Sequence, residues 1–381
     1  MFKLLRPVGE KIVFPSPGSP ASAEAFQVTG YRLFFVDSGT AALALALSLL
    51  KEKSPQKNQV IIPAYCCPDI LSAVLYNNLK PVLVDLEPDS TFLASDAVSD
   101  ALNAQSLAIV AINFLGIPER MTALKNVAME YDVTVIEDSA QFMPAEINPS
   151  EFEGDMVVLS FGKGKPLSLL GGGALLVAER LEVEPGAVLS QPAEFSQGAL
   201  AKLKIAVYNF ILHPSIYWLF SKLPFLTLGE TRFHPLHEIT PLKGLEGVLA
   251  ENFARKKKRD VANVQLLRDR LDALPSNMMV DLSLVNAVPV GSLLRYPLLL
   301  DNQSKRDDLL IALTRAGVSA SIMYRTTLCE VPGVPGELEG MSRGADDVAR
   351  DFASRLLTLP THSGLSREWV DTIVKVIARH V

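Results

Sequence analysis

The stretch "GDMVVLSFGKGKPLSLLGGGALLV", Gly154–Val177, sets an apolar run, a hydroxyl, two lysines and three glycines ahead of a second apolar run. Neither "MVVLSF" (156–161) nor "GALLVAE" (173–179) alternates with polar residues, so each reads as a strand buried on both faces. The glycines at 171–173 allow a turn between them. Lys165 is followed by Pro166, which breaks the Gly-Lys-Ser/Thr order of a phosphate loop. No Gly-x-Gly-x-x-Gly joins a first strand to a first helix either, so a dinucleotide fingerprint is absent.

Outward from this stretch the same kind of run recurs: "VIIP" (60–63), "PVLVDL" (81–86), "LAIVAINF" (107–114) and "VTVIEDS" (133–139). Helical segments separate several of them, among them "TAALALALSLLK" (40–51), launched from Ser38-Gly39 and buried on most sides, "CPDILSAVLYNN" (67–78) and "MTALKNVAMEYD" (121–132). Continuous apolar strands alternating with helices predict an α/β domain with a mostly parallel sheet covered on both faces. Past about residue 245 the pattern changes. "LAENFARKKKRDVANVQLLRDRLDAL" (249–274) reads as one long charged helix, its basic run a solvated face. "LLRYPLLL" (293–300), "SKRDDLLIALTRAG" (304–317) and "REWVDTIVKVIARH" (367–380) then predict a smaller α+β unit. The expected division is 1–245, a large cofactor-binding domain, and 246–381, a small C-terminal domain.

The formal charge of -6 argues against nucleic-acid binding, for which no global basic field exists. The 3 cysteines, two of them adjacent, form no disulfide framework and point to a reducing compartment, the cytoplasm. The N-terminal residues hold no apolar core of a secretory leader before Pro7, Gly9 and Glu10. The 5 histidines are scattered and no second pair stands at ligand spacing to Cys66-Cys67, so no metal site is expected. The apolar segment 204–229 is interrupted by His213-Pro214, Lys222 and Pro224 and is too short to span a membrane. It reads first as a buried helical hairpin. The alternative is that Tyr208, Phe210, Tyr217, Trp218 and Phe220 meet a membrane surface or a hydrophobic substrate tail.

Chemistry-bearing residues collect at strand ends: Asp138, Ser160 and, five residues later, Lys165, with Ser38-Gly39-Thr40 at a helix start. Asp138 alone reads as a helix cap. Together these residues match the needs of pyridoxal phosphate (PLP): helix-start amides and a hydroxyl for the phosphate, a carboxylate for the pyridine nitrogen, and an amine for the aldehyde.

The motifs "SGTAAL" (38–43), "IIPAYCCPDILSAVL" (61–75), "PVLVDLEPDS" (81–90), "NFLGIPERMTALKNVAMEYDVTVIEDSAQ" (113–141), the opening stretch and "LLTLPTHSGLSREWVDTIVKVI" (356–377) resemble, in order, the DegT/DnrJ/StrS sugar aminotransferases. That family belongs to the fold-type I PLP-dependent enzymes. The resemblance implies Lys165 as the lysine that carries the cofactor, with Lys163 a bystander. It implies phosphate contacts from Gly39, Thr40, Ala41 and Ser160, a pyridine-nitrogen partner in Asp138, and Gln141 near the phenolic oxygen or ring face. Family members usually stack an aromatic side chain on the ring where this chain has Cys67, so either Cys67 or Tyr65 fills that place. Met323 and Cys329 stand where many members carry histidines, and the segment that usually crosses the dimer is not recognisable in "GETRFHPLHEITPLKG". The implied activity is transfer of an amino group from glutamate to a keto sugar, nucleotide-linked, by a homodimer. Two other classes remain open: a PLP-dependent lyase, dehydratase or amino-acid enzyme, and a non-catalytic PLP-binding regulator. Retention of Lys165 counts against the dehydratase branch, in which histidine typically replaces the lysine.

Overall fold

The structure, a computed structural model, describes residues 9–14, 28–144, 151–183, 199–213, 216, 231–242, 246–275, 279–336 and 346–380. Seven strands form the larger sheet: β1 (Tyr31–Val36), β2 (Gln59–Pro63), β3 (Lys80–Val84), β4 (Ser106–Ile112), β5 (Thr134–Asp138), β6 (Met156–Ser160) and β7 (Gly173–Ala178). Their order is β1-β7-β6-β5-β4-β2-β3. Strands β3, β2, β4, β5 and β6 run parallel, and β7 pairs antiparallel with β6 and with β1. The expected α/β class and mostly parallel sheet are therefore present. β1 was not among the runs read as strands: its sequence "YRLFFV" is apolar, but nothing local says that it will close the sheet beside β7.

Alternate side chains of each central strand enter different cores, which explains the lack of polar alternation. Met156 and Val158 of β6 face one cluster, Val157 and Leu159 another. Helix α1 (Gly39–Lys53) buries nine residues and is capped by Ser38, whose Oγ accepts the Ala41 N–H at 3.1 Å. Helices α2 (Pro68–Tyr76), α3 (Ser95–Ala101) and α4 (Met121–Met129) complete the crossovers. The glycines after the lysines join β7 to the start of α1: a Cβ on Gly173 would lie 2.3 Å from the Ser38 carbonyl oxygen, and the Gly172 N–H donates to the Asp37 carbonyl at 2.7 Å.

Helix α5 (Ala199–Ile211) follows. The expectations for Tyr217, Trp218 and Phe220 lie outside the described residues. The long charged helix expected from 249 is two helices, α6 (Glu246–Lys257) and α7 (Ala262–Asp272), because Asp260 turns its carboxylate to the Ala262 N–H at 2.8 Å and starts the second one. Val248, Leu249 and Phe253 of α6 pack with β6 and β7, whereas Val264, Leu267 and Leu271 of α7 join the other core. The smaller unit carries an antiparallel sheet ordered β10-β9-β8: β8 (Met279–Asp281), followed at once by a short helix α8 (Leu282–Val285), then β9 (Tyr296–Leu300) and β10 (Leu356–Leu359). Helices α9 (Gln303–Arg315), α10 (Asp347–Arg355) and α11 (Arg367–Ile377) cover it.

The two units dock through polar and aromatic contacts. Asp85, just past β3, accepts the N–H groups of Val348 and Ala349 at the start of α10, at 2.9 and 2.7 Å. Tyr65 packs edge-on against Phe114, Tyr324 and Phe352, with ring centroids 5.6, 5.5 and 5.3 Å away.

Candidate active site

A parallel sheet gathers its strand-to-helix loops at the carboxyl edge, and here the loops after β2, β4, β5 and β6 meet the start of α1. Together they enclose a pocket of about 520 Å³, partly open to solvent. Of the residues singled out from sequence, Gly39, Thr40, Cys67, Asp138, Gln141, Ser160 and Lys165 line it. Ala41 does not: it is fully buried and its N–H is taken by Ser38. Lys163 is exposed and stands outside the pocket, while Lys165, half-buried, points its charge inward.

Asp138 ends β5 and is 6% exposed. Burial raises its carboxyl above the ordinary carboxylate range, and the Ala140 N–H, donated at 2.9 Å, and the nearby Lys165 charge oppose that rise. A cation at this carboxylate would restore the ionised form. Its neighbour Glu137 points the other way and accepts from Asn113 Nδ2, Ser139 Oγ, and the N–H groups of Glu153 and Gly154, all between 2.8 and 3.0 Å. That network pins the backbone on which Asp138 sits.

Gln141 is held at both ends of its amide: Oε1 accepts the Leu115 N–H and Nε2 donates to the Tyr324 hydroxyl, each at 3.1 Å. Tyr324 comes from the smaller unit, and its main-chain N–H and C=O both bond the Tyr65 hydroxyl, at 3.2 and 3.0 Å. Tyr65 is thereby locked in the interface and does not line the pocket. Cys67 does. Burial pushes its thiol up to about 12, with the Asp69 carboxylate adding to the rise and Lys165 opposing it, so the sulfur is a neutral packing group. Met323 and Cys329 lie apart from the pocket; Cys329 is buried where the 321–331 segment docks on Ala64, whose carbonyl accepts the Leu328 N–H at 2.8 Å.

Sequence reasoning passed over Asp69, exposed at the pocket mouth, and Phe114, in the wall. Both lie inside motifs quoted above, but no spacing rule aims them at the site.

The residues present fit PLP. Gly39 leaves a cradle beside Ser160, because a Cβ there would come within 2.7 Å of the Ser160 Cβ. The space is backed by a helix start and faced by a buried carboxylate and a lysine amine. A model of the DegT/DnrJ/EryC1/StrS aminotransferase family matches residues 9–194 and 247–378. The chain belongs to this family. It is 33% identical over 149 residues to the UDP-N-acetyl-3-dehydro-alpha-D-glucosamine 3-aminotransferase of Acidithiobacillus ferrooxidans, a match covering 39% of this chain and 40% of that protein. It is 24% identical over 348 residues to the dTDP-4-amino-4,6-dideoxy-D-glucose transaminase of Shigella dysenteriae, covering 90% of this chain and 83% of that one. The first match thus spans less than half of the relative, the second most of it. Among solved structures the fold is similar to that of NtdA from Bacillus subtilis with bound cofactor PMP, at a TM-score of 0.66, 17% identity and coverage of 92% of this chain and 73% of that one. The family member thus shares its fold with that structure and has the mostly parallel α/β architecture expected from its sequence.

Proposed function

We propose that this family member is a PLP-dependent aminotransferase that moves an amino group from glutamate to a nucleotide-linked keto sugar in amino-sugar biosynthesis. The convergence of Asp138, Gln141, Ser160 and Lys165 with the Gly39-Thr40 helix start in one pocket carries the reading. PLP, when bound, supplies an electron sink for the carbon that loses and regains a proton. The backbone N–H groups of Gly39 and Thr40 and the Ser160 hydroxyl would hold its phosphate. The Asp138 carboxylate would keep a proton on the ring nitrogen, and the Gln141 amide, fixed by Leu115 and Tyr324, would fix the phenolic oxygen. The Lys165 amine would hold the cofactor covalently and, once freed by the donor, carry a proton from the donor's carbon on its Nζ. The neutral thiol of Cys67 would pack on the ring face in place of an aromatic ring.

Purified protein should be yellow, and borohydride should fix the cofactor to the peptide containing Lys165. Glutamate should then convert the absorbance to that of pyridoxamine phosphate. Colourless protein that takes up no PLP would overturn the reading; colour without conversion by a panel of amino donors would favour a lyase or regulator instead.

The chain is expected to act as a cytoplasmic homodimer. The pocket mouth, open at exposed Asp69, supports a second copy that completes it; sedimentation as a monomer would oppose this. The proposed division stays as expected from the sequence, 1–245 for the larger unit and 246–381 for the smaller one. A peripheral membrane contact is supported by Leu203, Val207 and Phe210, which share one face of α5 and are 59%, 48% and 65% exposed. Protein that stays wholly soluble with anionic and neutral liposomes would remove it.

A further inference from the structure

A second pocket of about 1030 Å³, partly open to solvent, begins one residue past Lys165, with Pro166, Leu167 and Ser168 as one wall. The end of α6 forms the opposite side and brings Arg255, Lys256, Lys258 and Arg259; Lys11 comes from the N-terminal segment. Five cations face two carboxylates, Glu10 and Asp260; both accept hydrogen bonds from neutral groups, and Glu10 also acts on the Arg259 charge, leaving the cations in excess. Glu10 accepts the Ser363 N–H and hydroxyl at 2.7 and 2.5 Å, and Asp260 accepts the Ala262 N–H. Among the described residues, none of the five cations has a carboxylate oxygen within 4.0 Å, and Arg259 Nη2 is buried without a hydrogen-bond partner. Lys256 donates only to the Met143 carbonyl, at 2.7 Å, and burial with the Arg259 charge beside it lowers its amine to about 8.

In a protein of net charge -6, gathering like charges in a partly desolvated pocket costs stability unless an anion offsets it. Among the described residues no aromatic side chain lines the pocket, which leaves a nucleobase nothing to stack on, and Pro166 and Leu167 are its only apolar side chains. What the walls can satisfy is a compact group with several negative oxygens, which lysine and arginine hold by charge-assisted hydrogen bonds.

We propose that this pocket is a second anion site that binds a diphosphate group. Because its wall begins next to Lys165, a bound diphosphate also fixes the loop that carries that lysine; this consequence rests on the cofactor reading, while the binding does not.

Calorimetric titration of inorganic pyrophosphate into the purified full chain, at about 0.15 M salt, should show one saturable site. In Arg255→Glu/Lys258→Glu, two exposed positions that leave the core intact, affinity should fall about tenfold or more. Lys256→Met/Arg259→Met should weaken it as well. No saturable binding, or equal affinity in wild type and the exposed double variant, would overturn the proposal, whether or not the protein is yellow. A nucleotide sugar added in competition identifies the source. Displacement of pyrophosphate means that the diphosphate is the acceptor's own, simultaneous binding means that it is free, and both support the site.

Discussion

The two pockets on either side of the Lys165–Ser168 loop are built on opposite plans. The first is made of strand ends and one helix start, and its single lysine faces a buried carboxylate across the space. The second is made of a helix break, a chain segment from far upstream and a loop after β10, and its five cations outnumber its two carboxylates. Groups that perform chemistry are held by short backbone connections to a rigid sheet, so their spacing along the chain is nearly fixed. Groups that only attract charge need no such precision and can come from anywhere.

The largest loss is expected when the reactive amine is removed from the loop tied to the sheet. Lys165→Ala should abolish covalent retention of the cofactor and lower turnover about 10³-fold or more, while Lys163→Ala, one exposed position away from the loop's inward turn, should stay within about twofold. Borohydride peptide mapping and turnover assays check both, and the reverse pattern would put the register two residues out. Asp138→Asn should keep the fold and lose about 10²-fold in turnover, with the cofactor absorbance shifted because the ring nitrogen loses its carboxylate. Gly39→Ala should cost about 1–3 kcal/mol in stability and weaken cofactor binding, since its methyl would strike Ser160; thermal melts with and without PLP separate the two effects.

A smaller effect tests how far the sheet tolerates buried charge. Glu119, which accepts the Leu93 and Arg120 N–H groups at 3.0 and 2.8 Å, has its carboxyl raised by burial from 4.5 to about 7. The folded state then binds more protons than the unfolded one between those values, so its stability should fall as pH rises from 4.5 towards 7, by about 1–3 kcal/mol. Denaturant melts of wild type and Glu119→Gln across that range should show the slope only in the wild type. Smallest of all, Arg255→Ala or Lys258→Ala should change stability by no more than about 0.5 kcal/mol, because both are exposed.

Legibility in the sequence follows the same division. The strand runs from Val60 to Ala178 were readable because burial on both faces leaves no polar positions, and Asp138 and Ser160 were readable because they end two of those runs, whereas Lys165 was singled out by the family resemblance. β1, with the same kind of composition, was not, since its place beside β7 depends on a contact made more than a hundred residues later. The single long helix read from 249 hid its break because Asp260 acts through its side-chain carboxylate on the Ala262 N–H, with no loss of helical pattern.

Tyr65 shows where local reading stops: its aromatic ring made it a candidate for the cofactor's face, and only the docking of Tyr324 turned it into the interface. The basic run "RKKKR" at 255–259 is the companion case. As sequence it is a solvated face, and its role depends on Lys11 and the 166–168 loop arriving opposite it. By itself the sequence determined the α/β class and the order along the chain of the residues that line the first pocket, because these are set by hydrogen-bonded strands and the loops tied directly to them. Only the tertiary structure decided that Cys67 and not Tyr65 faces the pocket, that Tyr324 holds Gln141, and that Lys11 joins four cations of 255–259 in one cavity, because those outcomes depend on packing between segments that carry no record of one another in their own composition.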